Sequence, residues 1–556
     1  MEKVLLVEPE YQNKYPPIGL MKISTYHKAK GDHVEFYKGQ APYTTISRMD
    51  RVYITSLFTF HFDLTVETVK HYLKYKDKSN VFLGGIAAML MPGQFQKETG
   101  IVNVIGHQLT DSTVLGYDDS ENIDVLPLDY DILDDISYEY PAGDNFFVYA
   151  TRGCHRGCSF CAVKTLEPEF LDTNHLLSQI QYIRQTFDDK RHVLLLDNNV
   201  LYSDKLQAIA DDLEQLGFVR DTLNYIPPNQ FDSLFHKITR RMVSGSATGA
   251  LQEKLVDYLE KFRKRIKCER VLSEFERVLQ LLRADPDALE ALHTHTEYLH
   301  DIVEKYRQKK PLQRYVDFNQ GIDARLLTEE TMECISKLPV RPFRLAYDRV
   351  EDTETYQRAF RIAYDHGVRH FSDYLLYNFE EKPEELWQRA YNNMRLYNSL
   401  PDVSAFSFPM RYAPIDRTDR SYIGRYWNRK YLSAVTMILN VTNGVVAKEE
   451  AFFLRAYGAT PEEFLVILAM PNQFIKHRTF FEKNNFIQAW EWEYQKLSAP
   501  AKAELIDTLS GIEAPRSSSS ELQAVLRFYG ITKYQVESGK VRLADIVCAM
   551  KGAVKE

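Results

Sequence analysis

The chain has 556 residues and a formal net charge of −8 at pH 7, and 44% of its residues are hydrophobic while 26% are charged. This acidic balance excludes the overall basic field typical of nucleic-acid-binding proteins, so nucleic acid is not an expected partner. No apolar run reaches the roughly 18 residues of a membrane span. Six cysteines are too few for a disulfide framework, so we expect a reduced, cytoplasmic protein.

The first 125 residues alternate predicted strands with predicted helices. Helices are predicted at 19–31, closed by Gly31, and at 64–75. Apolar runs predict strands at 3–9, 33–37, 51–57, 80–85 and 101–106. This alternation predicts a doubly wound, Rossmann-like α/β domain over 1–125. The Pro- and Asp-rich stretch 126–145 is predicted to be a linker.

A second series of strand–helix units is predicted between residues 146 and 415. Its predicted strands lie at 146–151, 192–196, 315–319, 343–347, 370–376 and 404–408. Six such units predict a partial (β/α)6 barrel of the TIM type, whose site lies at the carboxyl ends of the strands.

Two further regions show helical periodicity. Residues 220–312 carry a helical pattern only and are predicted to be a helical insertion within the barrel. Residues 416–556 are predicted to form a helical C-terminal domain, with a flexible joint at 515–520. The expected fold class is therefore α/β, with a Rossmann-like domain, a partial barrel with an insertion, and a helical C-terminal domain.

The stretch "TRGCHRGCSFCAVK", residues 151–164, holds Cys154, Cys158 and Cys161 in the spacing C-x3-C-x2-C. It follows a predicted strand, at the end where such folds build their sites. Its two glycines allow a tight turn, and its nearby cations favour thiolates over thiols. Three thiolates on one loop can hold three corners of an iron–sulfur cube and leave the fourth iron without a protein ligand.

Three other interpretations of these cysteines stay open. A structural zinc site normally has four protein ligands, and His155 is a weak candidate for the fourth. A disulfide would leave an odd thiol in a cytoplasmic chain. Buried structural cysteines would not need the flanking glycines and cations. The remaining cysteines, Cys268, Cys334 and Cys548, are predicted to be small packing residues in helices.

The run "ATRGCHRGCSFC", with Phe160 before the third cysteine, resembles the signature of the radical S-adenosylmethionine (SAM) superfamily. The resemblance covers residues from about 146 to 415 as the partial barrel. It implies a [4Fe–4S] cluster on Cys154, Cys158 and Cys161, with SAM chelating the open iron. It also implies reductive cleavage of SAM to methionine and a 5′-deoxyadenosyl radical that abstracts a substrate hydrogen. An electron donor of the flavodoxin or ferredoxin type is implied as a partner.

The resemblance also implies SAM contacts at the later strand ends. Where the family often has Gly-Gly-Glu, this chain has "LLLDNNVL", so its carboxylate and amide oxygens would accept from the SAM ammonium. In "VDFNQGIDARLL", polar residues would meet the ribose and carboxylate, although Asp323 and Arg325 could instead cap and brace the next helix. Tyr377 and Asn378 are further, weaker candidates. The implied cofactor-binding residues are Phe160, Asp197, Asn198, Asn199, Asn319, Arg325 and Asp348.

The stretches "YPPIGLMKISTYHKAKGDHVEFY" and "VFLGGIAAML" resemble the N-terminal domain of cobalamin-dependent radical SAM enzymes. The Asp-x-His-x-x-Gly motif of some cobalamin proteins is absent from residues 1–140. Two readings stay open: cobalamin-dependent methyl transfer, or a Rossmann-like domain that docks substrate or supports the barrel. An alternative for the whole chain is a non-catalytic Fe–S or zinc-binding interaction protein that retains the cysteine loop. The substrate is not indicated.

Overall fold

A computed structural model describes residues 1–173, 175–244, 247–284, 289–511 and 520–546. Within these ranges the protein is mixed α/β with parallel sheets, as predicted. It divides into two compact units. The N-terminal unit comprises Met1–Gln320, Glu329–Arg341 and Ile415–Arg420, and the C-terminal unit comprises Gly321–Thr328, Pro342–Pro414 and Ser421–Glu556. Most of the joint predicted at 515–520, and Cys548, lie outside the described residues.

A five-stranded parallel sheet lies within the first 125 residues, and it confirms the strand positions predicted there. Its strands are β1 (Lys3–Glu8), β2 (His33–Lys38), β3 (Arg51–Thr55), β4 (Val81–Gly84) and β5 (Asn103–Val104), in the order β2-β1-β3-β4-β5. The accompanying helices are α1 (Ile18–Ala29), α2 (Tyr43–Ser47), α3 (Phe62–Leu73), α4 (Ile86–Leu90) and α5 (Pro92–Thr99). In this strand order the connections change direction between β1 and β3, and ligands of doubly wound sheets bind at that switch point.

The rest of the N-terminal unit is built around a second parallel sheet. The strands are β6 (Asn145–Val148), β7 (Thr151–Arg152), β8 (Leu171–Asp172), β9 (His192–Leu195), β10 (Leu223–Tyr225), β11 (Leu312–Gln313) and β12 (Tyr315–Phe318). The helices are α6 (Val163–Leu166), α7 (Leu176–Thr186), α8 (Leu206–Gln215), α9 (Gln230–Ser244), α10 (Gly249–Phe262), α11 (Glu269–Ala284), α12 (Leu289–Thr294), α13 (Thr296–Tyr306) and α14 (Glu329–Ile335). Strands β12, β9 and β6 pair in parallel in that order, and β7 pairs antiparallel with β8.

The insertion at 220–312 has a hydrophobic core of its own, formed by residues of α9, α10, α11, α12 and α13. The prediction that this region is helical only is wrong at its two ends, where β10 and β11 form a short antiparallel ribbon. This ribbon forms because the two ends of the insertion lie next to each other. The sequence does not predict it, because its two strands are far apart in the chain and show no local pattern. Cys268 is exposed and precedes α11, so its prediction as a packing residue in a helix is wrong. Cys334 is half-buried in α14.

The predicted linker 126–145 is fastened to both of its neighbours. Its 3₁₀ stretch, Tyr130–Asp135, contacts the edge strand β2, where the Phe36 N–H donates to the Asp135 carboxylate at 2.7 Å. On its other side it meets basic residues of α9 and α10: Lys237–Asp134 at 3.0 Å, Arg240–Asp131 at 2.5 Å, Arg241–Asp135 at 2.7 Å, and Lys254 to the Leu133 carbonyl at 2.6 Å. The insertion therefore holds the linker against an edge strand that would otherwise be open to pairing with another chain.

The C-terminal unit contains a third sheet followed by helices. Its strands are β13 (Phe343–Ala346), β14 (His370–Tyr377), β15 (Ser404–Arg411) and β16 (Val446–Ala447); the first three are parallel and the last is antiparallel to β15. Its helices are α15 (Thr353–Asp365), α16 (Pro383–Asn398), α17 (Arg429–Val441), α18 (Glu450–Tyr457), α19 (Pro461–Ala469), α20 (Asn472–Lys476), α21 (Arg478–Lys483), α22 (Phe486–Lys496), α23 (Ala499–Leu509), α24 (Ser520–Leu526) and α25 (Lys533–Glu537). The mainly helical character predicted beyond residue 416 is confirmed. None of the helices in the described ranges is both long enough and apolar enough to cross a membrane.

The linker contacts lead to a stability prediction. Asp135→Ala removes the carboxylate shared by the Arg241 guanidinium and the Phe36 N–H. We expect the free energy of unfolding of the N-terminal unit to fall by about 1–3 kcal/mol, because two partly buried donors lose their acceptor. Glu139→Ala is the matched control: its exposed pair with Lys261 spans 3.9 Å, and its loss should cost less than about 0.5 kcal/mol. Urea unfolding of the full chain measures both, and equal effects would contradict the structural role of the linker contact.

Candidate functional site

The cysteine loop begins where β7 ends and closes at α6. Gly153 has φ +75°, and a Cβ on it would lie 2.0 Å from the carbonyl oxygen of Glu169. No side chain fits there, so glycine is required by both the backbone conformation and the close approach. Gly157 is different, because a Cβ on it would meet the flexible Lys164 side chain, with the amine at 3.2 Å and Cδ at 3.8 Å.

The loop presents three half-buried thiols with hydrogen-bond donors at two of them. The Arg156 N–H donates to Cys154 Sγ at 3.5 Å, and Asn199 Nδ2 lies 3.7 Å from the same sulfur. The Val163 N–H, at the start of α6, donates to Cys161 Sγ at 3.5 Å. Cysteine binds metals as the thiolate, and such donors can remain bonded to a sulfur that also binds a metal. The loop is thus suited to hold a metal centre.

Asp197 lies beneath the loop, where β9 ends. Its carboxylate accepts the Ala150 N–H at 3.1 Å and the Thr151 hydroxyl at 2.7 Å, and it also accepts the Thr151 N–H. Burial raises the pKa of Asp197 to about 6, against the opposing effect of these hydrogen bonds. Asp197, predicted as a cofactor-binding residue, therefore fixes the backbone that leads into the loop.

Glu167 is a site residue that the sequence did not single out. Its Oε2 accepts the Gly153 N–H at 2.6 Å and Asn198 Nδ2 at 2.7 Å, while its Oε1 lies 3.2 Å from Arg152 Nη1. One carboxylate thus ties the start of the loop to the end of β9. Sequence offers only a weak signal for it, because Glu169 follows two positions later and has the same chemistry.

Arg152 extends these contacts towards the first domain. Its guanidinium lies 3.2 Å from Asp124 Oδ1 and 3.9 Å from the ring centroid of Tyr149. Lys22, on α1, donates to the same Asp124 carboxylate at 3.0 Å. Burial lowers the pKa of Lys22, while the Asp124 charge opposes that change. The two cations and the Asp124 carboxylate that they share form a largely buried network between α1 and the loop.

A cavity of about 590 Å³ in the N-terminal unit adjoins these residues. Most of its lining is aromatic or aliphatic, including Tyr15, Ile54, Phe82, Met89 and Phe147. It is reached by the carboxyl ends of β1, β3 and β4 through Glu8, Thr55 and Gly84, and by the loop and α6 through Ala162, Val163 and Leu166. The switch point of the first sheet and the cysteine loop thus share one apolar cavity.

Polar candidates from the sequence fall at or near this cavity. Asn198 and Asn319 line it, and the Tyr15 hydroxyl donates to Asn319 Oδ1 at 2.8 Å. Asn199 is 3% exposed, and within the described part of the chain its buried Oδ1 has no hydrogen-bond partner. Phe160 is half-buried within the loop. The structure therefore brings Asn199 to Cys154, and it brings Asn198 and Asn319 to the cavity.

The Gly84-Gly85 pair also lines the cavity, but local backbone packing, and not a bound ligand, explains why glycine is needed there. Gly85 has φ +93°, and a Cβ on it would lie 2.2 Å from the carbonyl oxygen of Ser56. The Ser56 hydroxyl donates to the Gly84 carbonyl at 2.8 Å. The close approach of the chain after β3 is therefore sufficient to require this glycine, whatever binds in the cavity.

Arg325 and Asp348 lie in the C-terminal unit. Arg325 donates to Asp323 Oδ1 through its N–H at 3.1 Å and its Nε at 2.8 Å, so this pair braces its own turn. Burial raises the pKa of Asp348, and the charges of Arg389 and Arg325 oppose the change. Arg389 is fully buried and donates to the Asp348 carbonyl at 2.8 Å. Asn378 is buried at φ +68°, and its Nδ2 donates to the Tyr412 carbonyl at 3.0 Å.

Comparison with models of protein families finds no match to this chain, and comparison with curated proteins finds no significant match.

The two loop glycines provide a matched pair of variants. For the iron–sulfur cluster expected from the cysteine spacing, Gly153→Ala should prevent most iron loading, because the new Cβ clashes with backbone atoms and disfavours the positive φ. Gly157→Ala should load iron almost as the unmodified chain does, because the Lys164 amine can move aside. Iron and sulfide content after anaerobic reconstitution measures both. Full loading of Gly153→Ala would contradict the loop geometry.

Proposed function

We propose that this protein is a radical SAM enzyme in which Cys154, Cys158 and Cys161 hold a [4Fe–4S] cluster and SAM binds the iron without a protein ligand. The observation that carries the proposal is the C-x3-C-x2-C spacing on one loop, which follows β6 of the parallel sheet and the short strand β7. The half-buried thiols and the N–H groups directed at two of them support it. The proposal includes a partial (β/α)6 barrel over residues 146–415.

When bound, such a cluster supplies one electron to SAM, whose carbon–sulfur bond breaks to give methionine and a 5′-deoxyadenosyl radical. The chain's own residues position and shield this chemistry. Donors to the sulfurs of Cys154 and Cys161 reduce the charge on the ligands and tune the reduction potential. The apolar lining of the cavity limits the access of water to a reactive species.

Two amide oxygens fit the ammonium group of SAM. Asn198 donates through Nδ2 to Glu167, which leaves its Oδ1 as an acceptor at the cavity. The buried Oδ1 of Asn199 lacks a hydrogen-bond partner in the described ranges. A SAM ammonium group bound near Cys154 could donate a hydrogen bond to it, because Asn199 contacts the Cys154 sulfur. Phe160 and Asn319 are the other proposed SAM contacts in the N-terminal unit, while Asp197 would act through the backbone that it holds at Ala150 and Thr151.

A second candidate, cobalamin-dependent methyl transfer, is favoured by the position of the cavity. The β1–β3 switch point of a 2-1-3-4-5 sheet is where such sheets bind flat cofactors, and an aromatic and aliphatic lining suits a large ring system. Without cobalamin, the same cavity would hold the substrate from which hydrogen is abstracted. Corrinoid absorbance that stays with the protein after incubation with hydroxocobalamin and gel filtration would distinguish these candidates.

The test of the proposal is product formation by the full chain. Anaerobically reconstituted protein, given SAM and dithionite, should release 5′-deoxyadenosine and methionine in equal amounts. Alanine in place of Cys154, Cys158 or Cys161 should abolish release, because the cluster loses an iron ligand. Cys268→Ala is the matched control: this exposed thiol lies outside the loop, and its loss should leave the yield unchanged.

Two outcomes would contradict the proposal. Protein fully loaded with iron and sulfide that releases no 5′-deoxyadenosine would favour a non-catalytic Fe–S interaction protein. Anaerobically purified protein that contains zinc and no iron would favour a zinc site, with His155 as the nearest candidate for a further ligand. His155 stacks on Tyr202 with ring centroids 3.8 Å apart, so the zinc reading also predicts a change at that stack.

A further inference from the structure

The helical domain of the C-terminal unit contains a second cavity, of about 330 Å³. It is an open cavity bounded by the end of α17, one face of α18, the end of α20 and the start of α21. The apolar residues of its lining, called its floor below, are Ile438, Val441, Phe452, Ala456, Ile475 and Phe480, of which Val441 is 48% and Phe452 39% exposed. This volume lies within the range of pockets that bind small molecules, about 300–1,000 Å³.

Basic side chains line the same cavity, and no acidic residue is among those that line it in the described ranges. Arg455 and Arg478 share the single carboxylate of Glu482, with Arg478 Nε at 3.1 Å from it. Lys476 and His477 complete the lining on this side. Three permanent cations, Arg455, Lys476 and Arg478, thus belong to the lining, whereas the nearby carboxylates of Glu482, Glu491 and Glu537 do not line the cavity.

Two of these groups have donors to spare. Neither the Lys476 amine nor the His477 ring donates a hydrogen bond within the described part of the chain, and both residues line the cavity. Burial lowers the pKa of His477, and the charges of Lys533 and Lys476 lower it further, against the opposing charge of Glu537. Lys533 lies 3.4 Å from Glu537, so that carboxylate is already paired. The surroundings of His477 are thus electropositive as well as apolar.

We propose that this cavity is a binding site for a small amphipathic anion, whose apolar body lies on the floor and whose carboxylate or phosphate meets Lys476, His477 and Arg478. Burial of a hydrocarbon or ring system against the apolar floor would make the binding free energy more favourable. The cations would bind a negative head group more tightly than a neutral one, because charge-assisted hydrogen bonds are about twice as strong as neutral ones. The site is independent of the cysteine loop and of the reaction proposed for it.

Isothermal titration of the full chain with four eight-carbon probes tests the head-group chemistry. Octanoate or octyl phosphate should bind saturably with one site per chain, and the tighter of the two identifies the carboxylate or the phosphate source. Octanol should bind about tenfold more weakly, and octyltrimethylammonium should not bind. Equal affinity for octanol and octanoate would overturn the proposal, because the cavity would then bind the hydrocarbon chain without recognising the negative head group. No saturable binding of either anion would overturn it as well.

Variants of the lining test the location. Lys476→Gln should weaken the binding of the preferred anion about threefold to tenfold, because it removes a head-group partner. Lys483→Gln is the matched control: this exposed lysine of α21 does not line the cavity, and its loss should leave the affinity unchanged. Ala456→Leu should abolish binding of every probe by filling the cavity from α18, with the thermal midpoint as a check on folding. Unchanged affinity in Ala456→Leu, with folding retained, would place the anion elsewhere and overturn the proposal.

Discussion

The geometry of the cysteine loop depends on how its first residues are held, more than on the cysteines themselves. The buried Asp197 carboxylate fixes the backbone at Ala150 and Thr151, and Glu167 accepts the N–H of Gly153. At Gly153 the chain passes so close to the Glu169 carbonyl that no side chain fits. These contacts determine the direction in which the loop leaves the sheet, and therefore where the three thiols are presented.

The same anchoring connects the loop to the first domain. Glu167 contacts Arg152, which shares Asp124 with Lys22 of α1. The cavity between these elements has the switch point of the first sheet on one side and α6 on the other. A reaction at the loop and a ligand at the switch point would share one apolar space, and this is the physical reason to consider cobalamin or substrate there.

Features that depend on neighbouring residues in the sequence, such as strands and the cysteine spacing, could be predicted from the sequence. Buried strands are continuous apolar runs, so β1, β3 and β9 were found, and the glycine-flanked cysteines were recognised from their spacing. It could not predict Glu167 or the Lys22–Asp124 pair, whose members are far apart in the chain or share their chemistry with near neighbours. It missed the β10–β11 ribbon for the same reason. The basic cavity of the helical domain also escaped it, because three separate helical segments contribute to its lining.

In the proposed site three thiolates leave one iron open to SAM, and EPR spectroscopy of the reduced, reconstituted full chain tests this arrangement most directly. SAM is expected to change the g values of the cluster signal. SAM labelled with ¹⁷O in its carboxylate should also broaden that signal, because the labelled oxygen would be bound to iron. A signal from a fully loaded cluster that SAM leaves unchanged, with no broadening by the label, would contradict the claim.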